Sequence, residues 1–180
     1  KNTEKLEQDF IQNYKFYNLD IALEPSELNT IFRKHKPELV IHLAALKSVQ
    51  ESISSPDLYK NNNINSTINI LDSMSLHGCK KIIYSSSAAV YGDQKIQPIH
   101  ENVVLKPSSP YAHSKLLCEK IINNACDQNN ISGISLRYFN PIGYHSSKLF
   151  RDELTEDVGS IMQQIIKVAL DKDKFLNIYG

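Results

Sequence analysis

What most limits the fold of this chain is its alternation of two patterns, apolar runs of about five residues and longer segments with apolar positions at helical spacing. Leu39–Leu43, Lys81–Ser85 and Ile131–Arg137 read as strands, with Phe16–Ile21 before them and Phe175–Tyr179 after. Leu39–Leu43 is apolar save for His42, which predicts a strand buried on both faces. Lys1–Tyr14, Pro25–His35, Pro56–His77, Ser109–Asn130 and Val158–Leu170 read as helices, and Gly92–Pro107 and Ser146–Asp157 as loops. Gly78 is placed to end one helix in a left-handed conformation, and Ser109 and Pro110 to cap and open another. Such alternation predicts an α/β domain with a parallel sheet. Ligands of these sheets sit outside the carboxyl ends of the strands. Three polar constellations fall there: Leu43–Lys47, Ser85–Ser87 and Tyr138–Asn140.

Composition narrows the partners. Twenty basic and 20 acidic residues give zero formal net charge, so neither nucleic acid nor an anionic membrane is an expected partner. No apolar run approaches the roughly 20 residues of a membrane span, and none resembles a signal peptide. Three cysteines (Cys79, Cys118, Cys126) lack ligand spacing, which predicts no metal site, no disulfide framework and a reducing, cytoplasmic setting. The six glycines lie too far apart to build a phosphate-cradling loop.

The sharpest chemical pattern is Tyr111-Ala-His-Ser-Lys115. Residues four apart share a helix face. A lysine ammonium beside a phenol stabilises the phenolate and brings a pKa near 10 toward neutrality. Ser87 ends the Lys81–Ser85 strand region 24 residues earlier, where its hydroxyl can bind the same substrate oxygen. The bland readings are a surface Tyr–Lys pair and a serine-capped strand end. His42 reads as a satisfied core histidine and His113 as exposed.

SSSAAVYGD (85–93), SSPYAHSK (108–115), LRYFNPIG (136–143) and VIHLAALKSVQES (40–52) carry a resemblance. The chain is similar to the UDP-glucose 4-epimerases, extended short-chain dehydrogenase/reductases, and the resemblance implies a doubly wound parallel-sheet, NAD(P)-binding Rossmann-like fold. The resemblance implies an NAD-dependent inversion of C4 in a UDP-hexose through a 4-keto intermediate. Tyr111 would be the acid/base, Lys115 would lower its pKa and hold the nicotinamide ribose, and Ser87 would bind the sugar 4-oxygen. Asp20 and Ile21 would lie on the adenine side, and Leu43, Ala44, Ala45, Leu46 and Lys47 on the pyrophosphate side. Asn62 would make a further cofactor contact. Phe139 would lie by the nicotinamide, and Asn140 would bind the sugar nucleotide. Ser160 would occupy the uridine-phosphate side, where Gly159-Ser160 replaces the family's asparagine pair. Residues 1–139 would then form an incomplete dinucleotide-binding domain and 140–180 the start of a substrate domain. A homodimer through the helices Pro56–His77 and Ser109–Asn130 is a further implication.

The chain departs from the family in carrying no GxxGxxG segment. It therefore reads as a central portion lacking the first two strands, with a gap of about 14 Å between Phe16–Ile21 and Leu39–Leu43 at ordinary strand spacing. Two rival readings stand beside the epimerase: a non-catalytic remnant without cofactor binding, and a nucleotide-sugar 4,6-dehydratase. The latter needs an Asp-Glu pair where this chain has Ala88 and Ala89.

Overall fold

The computed structural model describes residues 14–143, 161–170 and 174–176. Residues 18–139 pack as one compact unit, and the other described residues belong to a second. In the first unit the order is α1 (Pro25–His35), β1 (Val40–His42), α2 (Val49–Ser54), α3 (Pro56–His77), β2 (Lys81–Ser87), a 3-10 turn (Ala88–Tyr91), α4 (Pro110–Asn129) and β3 (Ser132–Tyr138). The second contains α5 (Ile161–Ala169).

Local chemistry accounts for the boundaries. Pro25 opens α1, Glu27 sits in its first turn, and Arg33, Lys34 and His35 in its last, each matching the helix dipole. Pro56 opens α3, and Gly78 closes it at φ 76°, with its N–H on the Met74 carbonyl. Ser109 caps α4 by accepting the Ala112 N–H at 3.2 Å.

The sheet is parallel in the order β1-β2-β3. Its register sets His42 beside Tyr84, and Ser86 beside Arg137. Leu28 and Phe32 of α1, Ile70, Leu71 and Met74 of α3, and Cys118 and Ile122 of α4 pack with Ile82 and Tyr84 of β2 in one core. Each such aliphatic side chain contributes about 1.5–3 kcal/mol when fully buried.

Three strand expectations need correction. Residues 14–20 have no regular secondary structure and pair in no ladder among the described residues, so Phe16–Ile21 is not a strand; Leu19 and Ile21 instead pack against the core. Asp20 turns the chain there, its carboxylate accepting the Ala22 N–H at 2.9 Å and the Leu23 N–H at 3.3 Å. Leu39–Leu43 shortens to Val40–His42 and is not buried on both faces: Ile41 is 58% exposed. The helices α1, α3 and α4 share their core with one face of the sheet. Phe175 and Leu176 are not in a strand, and 177–180 lie outside the described residues. So do 1–13 of the first expected helix, 158–160 of the last, and the loop 146–157.

Among the described residues no helix is long and apolar enough to cross a membrane. No cluster of three or more His, Cys, Asp or Glu could hold a metal ion there. Cys79, Cys118 and Cys126 are free thiols.

Candidate active site

Tyr111 and Lys115 occupy the first two turns of α4, which packs across β2. Pro110 and the Ser109 cap fix where that helix starts, and so where the phenol stands. Lys115 is only 3% exposed. Its Nζ donates to the Ser85 carbonyl at 2.7 Å. It lies 5.0 Å from the Tyr84 ring centroid and 5.9 Å from that of Tyr111. Burial pulls its pKa down to about 8, partly opposed by Cys118. The ammonium has three donors and makes one hydrogen bond within the described residues, to Ser85. A buried cation so placed has donors left for the acceptors of a ligand.

Ser87 is half-buried, two residues beyond Ser85, and its Oγ accepts the Ala89 N–H at 3.2 Å. Ala88 and Ala89 form the 3-10 turn that follows. Leu43, Ala44 and Lys47 are exposed after β1, and Ala45 and Leu46 are half-buried. Asn62 is half-buried on α3. Phe139 is 65% exposed at the end of β3, stacked on Tyr91 at 6.2 Å between centroids. Asp20 is exposed and Ile21 half-buried at their turn. Asn140 belongs to the second unit and is exposed. Ser160 lies outside the described residues. The structure thus brings Tyr111 and Lys115 together at the end of β2.

Sequence reading missed the supports. Glu119, one turn beyond Lys115, accepts from Ser86 Oγ, from Arg137 Nε at 3.0 Å and from Arg137 Nη2 at 2.8 Å. Arg137 also donates to the Glu101 carbonyl at 3.2 Å and covers the Tyr91 ring at 4.9 Å. These contacts tie the ends of β2 and β3 to α4. The available signal was Lys115-x-x-x-Glu119, helical spacing that puts both on one face. His42 is 3% exposed, with Nε2 3.1 Å from Thr67 Oγ1. Burial, and then the Lys115 charge, lower its pKa to about 4. It is therefore neutral, although its Nδ1 has no partner among the described residues, so the expectation of a satisfied core histidine holds there for one ring nitrogen. His113 is exposed, as its position next to the buried helix face predicts.

The NAD dependent epimerase/dehydratase family profile matches residues 1–178. A UDP-glucose 4-epimerase of Oryza sativa subsp. japonica is 38% identical over 173 residues, covering 96% of this chain and 42% of that protein. The UDP-glucose 4-epimerase of Dictyostelium discoideum is 38% identical over 167 residues, covering 92% and 48%. The chain spans about half the length of the curated relatives it matches. Among solved structures, the Bifidobacterium longum UDP-glucose 4-epimerase in complex with NAD+ and UDP superposes with a TM-score of 0.85 at 35% identity, covering 98% of this chain and 53% of that one. The Stenotrophomonas maltophila UDP-glucose-4-epimerase, with bound NAD and formylated UDP-arabinopyranose, gives 0.84 at 32% identity, covering 92% and 49%. The parallel sheet, the Tyr111–Lys115 pair at its carboxyl end and a profile match along nearly the whole chain agree: this chain belongs to the NAD-dependent epimerase/dehydratase family, with its Rossmann-like fold.

Proposed function

We propose that the protein inverts C4 of a UDP-hexose, interconverting UDP-glucose and UDP-galactose, with NAD as cofactor. The observation that carries this reading is the buried Lys115 ammonium between Tyr111 and the Ser85 carbonyl. NAD would supply the acceptor for the C4 hydride and the donor for its return, and inversion follows because the 4-keto sugar presents its other face for that return. Tyr111 removes the 4-hydroxyl proton and later restores it, with the Lys115 ammonium 5.9 Å from its ring. Ser87 donates a hydrogen bond to the 4-oxygen and orients it. Lys115 has donors left for ribose hydroxyls, so the residues present fit the cofactor. Leu43–Lys47 hold the pyrophosphate side, with the small Ala44 and Ala45 permitting close backbone approach and Lys47 supplying charge. Asp20 and Ile21 hold the adenine side, and Asn62 and Phe139 make further cofactor contacts. Asn140 and Ser160 bind the sugar nucleotide. In the domain division that goes with this reading, residues 1–139 bind the dinucleotide and 140–180 belong to the substrate domain.

Ala88 and Ala89 carry no acid for loss of water, which favours epimerisation over dehydration. The partner in assembly is a second copy of the chain. A cavity of about 350 Å³ opens between α3 and α4, lined by Ile64, Leu116 and Leu117 among others, and Leu58 and Leu76 stand 51% and 69% exposed on α3. Three free thiols fit a cytoplasmic setting. The test is incubation of the full-length protein with UDP-galactose and NAD+. UDP-glucose should accumulate to equilibrium; absence of conversion with NAD+ bound would reject the reading.

A further inference from the structure

Beyond the residues assigned above, two buried side chains on α3 connect the same pair of elements. Tyr59 and Asn63 are one helical turn apart, 0% and 1% exposed. Asn63 Oδ1 accepts the Leu46 N–H at 2.9 Å. Its Nδ2 donates to the Leu46 carbonyl at 3.2 Å and to Ser114 Oγ at 3.0 Å. Ser114 Oγ in turn donates to the Tyr111 carbonyl at 2.7 Å. One turn earlier, Tyr59 Oη accepts the Ser48 N–H at 3.0 Å and donates to Glu51 at 2.6 Å. The Tyr59 ring meets the Tyr111 ring edge-on, with centroids 6.5 Å apart. Each residue thus joins the segment 46–48, after β1, to the first turns of α4.

Any buried asparagine needs partners, so hydrogen bonding alone decides nothing. The direction of these bonds does. Ser66 and Thr67, on the same helix, donate to the nearby Asn63 carbonyl, and Ser73 to Asn29 of α1. Asn63 and Tyr59 both reach across to one short segment, and both lead to Tyr111. Asn63 engages both polar groups of the Leu46 backbone, which fixes that residue's orientation as well as its distance.

We infer that Asn63 and Tyr59 are positioning residues that hold segment 46–48 in fixed register with Tyr111 and Lys115. A dinucleotide lying along Leu43–Lys47 and the acid/base pair are thereby kept at one separation. The identity of that dinucleotide rests on the proposed function; the clamp itself rests on the contacts. Misplacement of reacting groups by about 1 Å costs on the order of 100-fold in rate.

The test uses the full-length protein with Asn63→Ala, Ser114→Ala, the double variant and Tyr59→Phe, beside Ser73→Ala as a buried α3 control. Three quantities are read: kcat and KM for UDP-galactose, NAD+ affinity, and the pH midpoint for amine labelling of Lys115 without dinucleotide. Tyr84, Tyr111, Cys118 and His42 surround that amine. Asn63→Ala should lower kcat by about 10- to 100-fold, weaken NAD+ binding and raise the Lys115 midpoint from about 8 toward 10.5. Ser114→Ala should lower kcat while leaving NAD+ affinity within about twofold, and the double variant should be no worse than Asn63→Ala. Tyr59→Phe, which keeps the ring, should lower kcat less than Asn63→Ala. Ser73→Ala should change only stability. Additive losses in the double variant, or a kcat and Lys115 midpoint that move no more than in Ser73→Ala, overturn the inference. If the wild type converts no UDP-galactose while Asn63→Ala still shifts the Lys115 midpoint, the clamp stands and the proposed function falls.

Discussion

On one face of the sheet His42, Ile82, Tyr84 and Ser86 are buried with α3 and α4. On the other, Ile41, Ile134, Leu136 and Tyr138 are between 37% and 59% exposed. The covered face is the more polar of the two. Side-chain chemistry did not decide which face is dry; the position of the helices did. Polar side chains survive on the covered face because they find partners there, His42 through Nε2 alone: Ser86 meets Glu119, Glu119 meets Arg137, His42 meets Thr67. The same dryness lowers the pKa of Lys115, which no side chain on the open face would experience.

Substitutions on the two faces should therefore part company. The largest effect belongs to Tyr111→Phe, which should lower kcat for UDP-galactose by about 10²- to 10⁴-fold while Ile134→Ala leaves it unchanged. Equal losses from both would erase the contrast. Next comes Glu119→Ala, which leaves Arg137 and Ser86 without their shared acceptor inside the protein. Urea unfolding should report a loss of about 3–5 kcal/mol; a loss near that of Ile134→Ala would show the ion pair to be ornamental.

Third is acid sensitivity on the covered face. His42 has a folded pKa of about 4 against 6.5 unfolded, so the unfolded chain binds the extra proton in between. Its contribution is intact above pH 6.5, falls as pH drops toward 4 and levels below that. The full loss is up to about 3 kcal/mol. Comparing urea midpoints at pH 7 and pH 5 in the wild type and in His42→Gln isolates it, because the variant should lose that part of the slope. The smallest effect is on the open face of the 180-residue chain, where Ile41→Thr and Ile134→Thr should each stay within about 0.5–1 kcal/mol of that same chain unsubstituted and reduce its self-association on light scattering.

The contrast also marks what the sequence could convey. The helices α1, α3 and α4 were legible because their ends carry local signals: Pro25, Pro56, Gly78, Ser109 and Pro110. The Tyr111–Lys115 pair was legible because four residues on a helix is a local spacing. α2 was missed although Ser48-Val-Gln-Glu51 has the spacing of a capping box, and Ser48 Oγ accepts the Glu51 N–H at 3.2 Å. Asn63 was invisible because it is the last of three consecutive asparagines, and only helix geometry tells which one faces Leu46. Arg137 meets Glu119 across 18 residues and two different elements, beyond the reach of any local pattern. The open face of β1 was misjudged because an apolar run reports what a strand can bury and is silent on which helices cover it.

Gly92 sets the terms for one further segment. Its φ of 66° suits glycine, and a side-chain carbon there would stand 1.8 Å from the Lys106 carbonyl oxygen. The Lys106 N–H reaches the Tyr91 carbonyl at 3.3 Å, and Gln94 bridges Tyr91 to Val104. The excursion between them is thus stapled at its base while its outer residues Lys95, Ile96 and Gln97 are exposed. Doubling such a loop costs only about 0.6 kcal/mol in closure entropy. The tip is consequently a place where new sequence, a tag or a recognition peptide can be inserted without disturbing Tyr91 or the Arg137 stacked upon it.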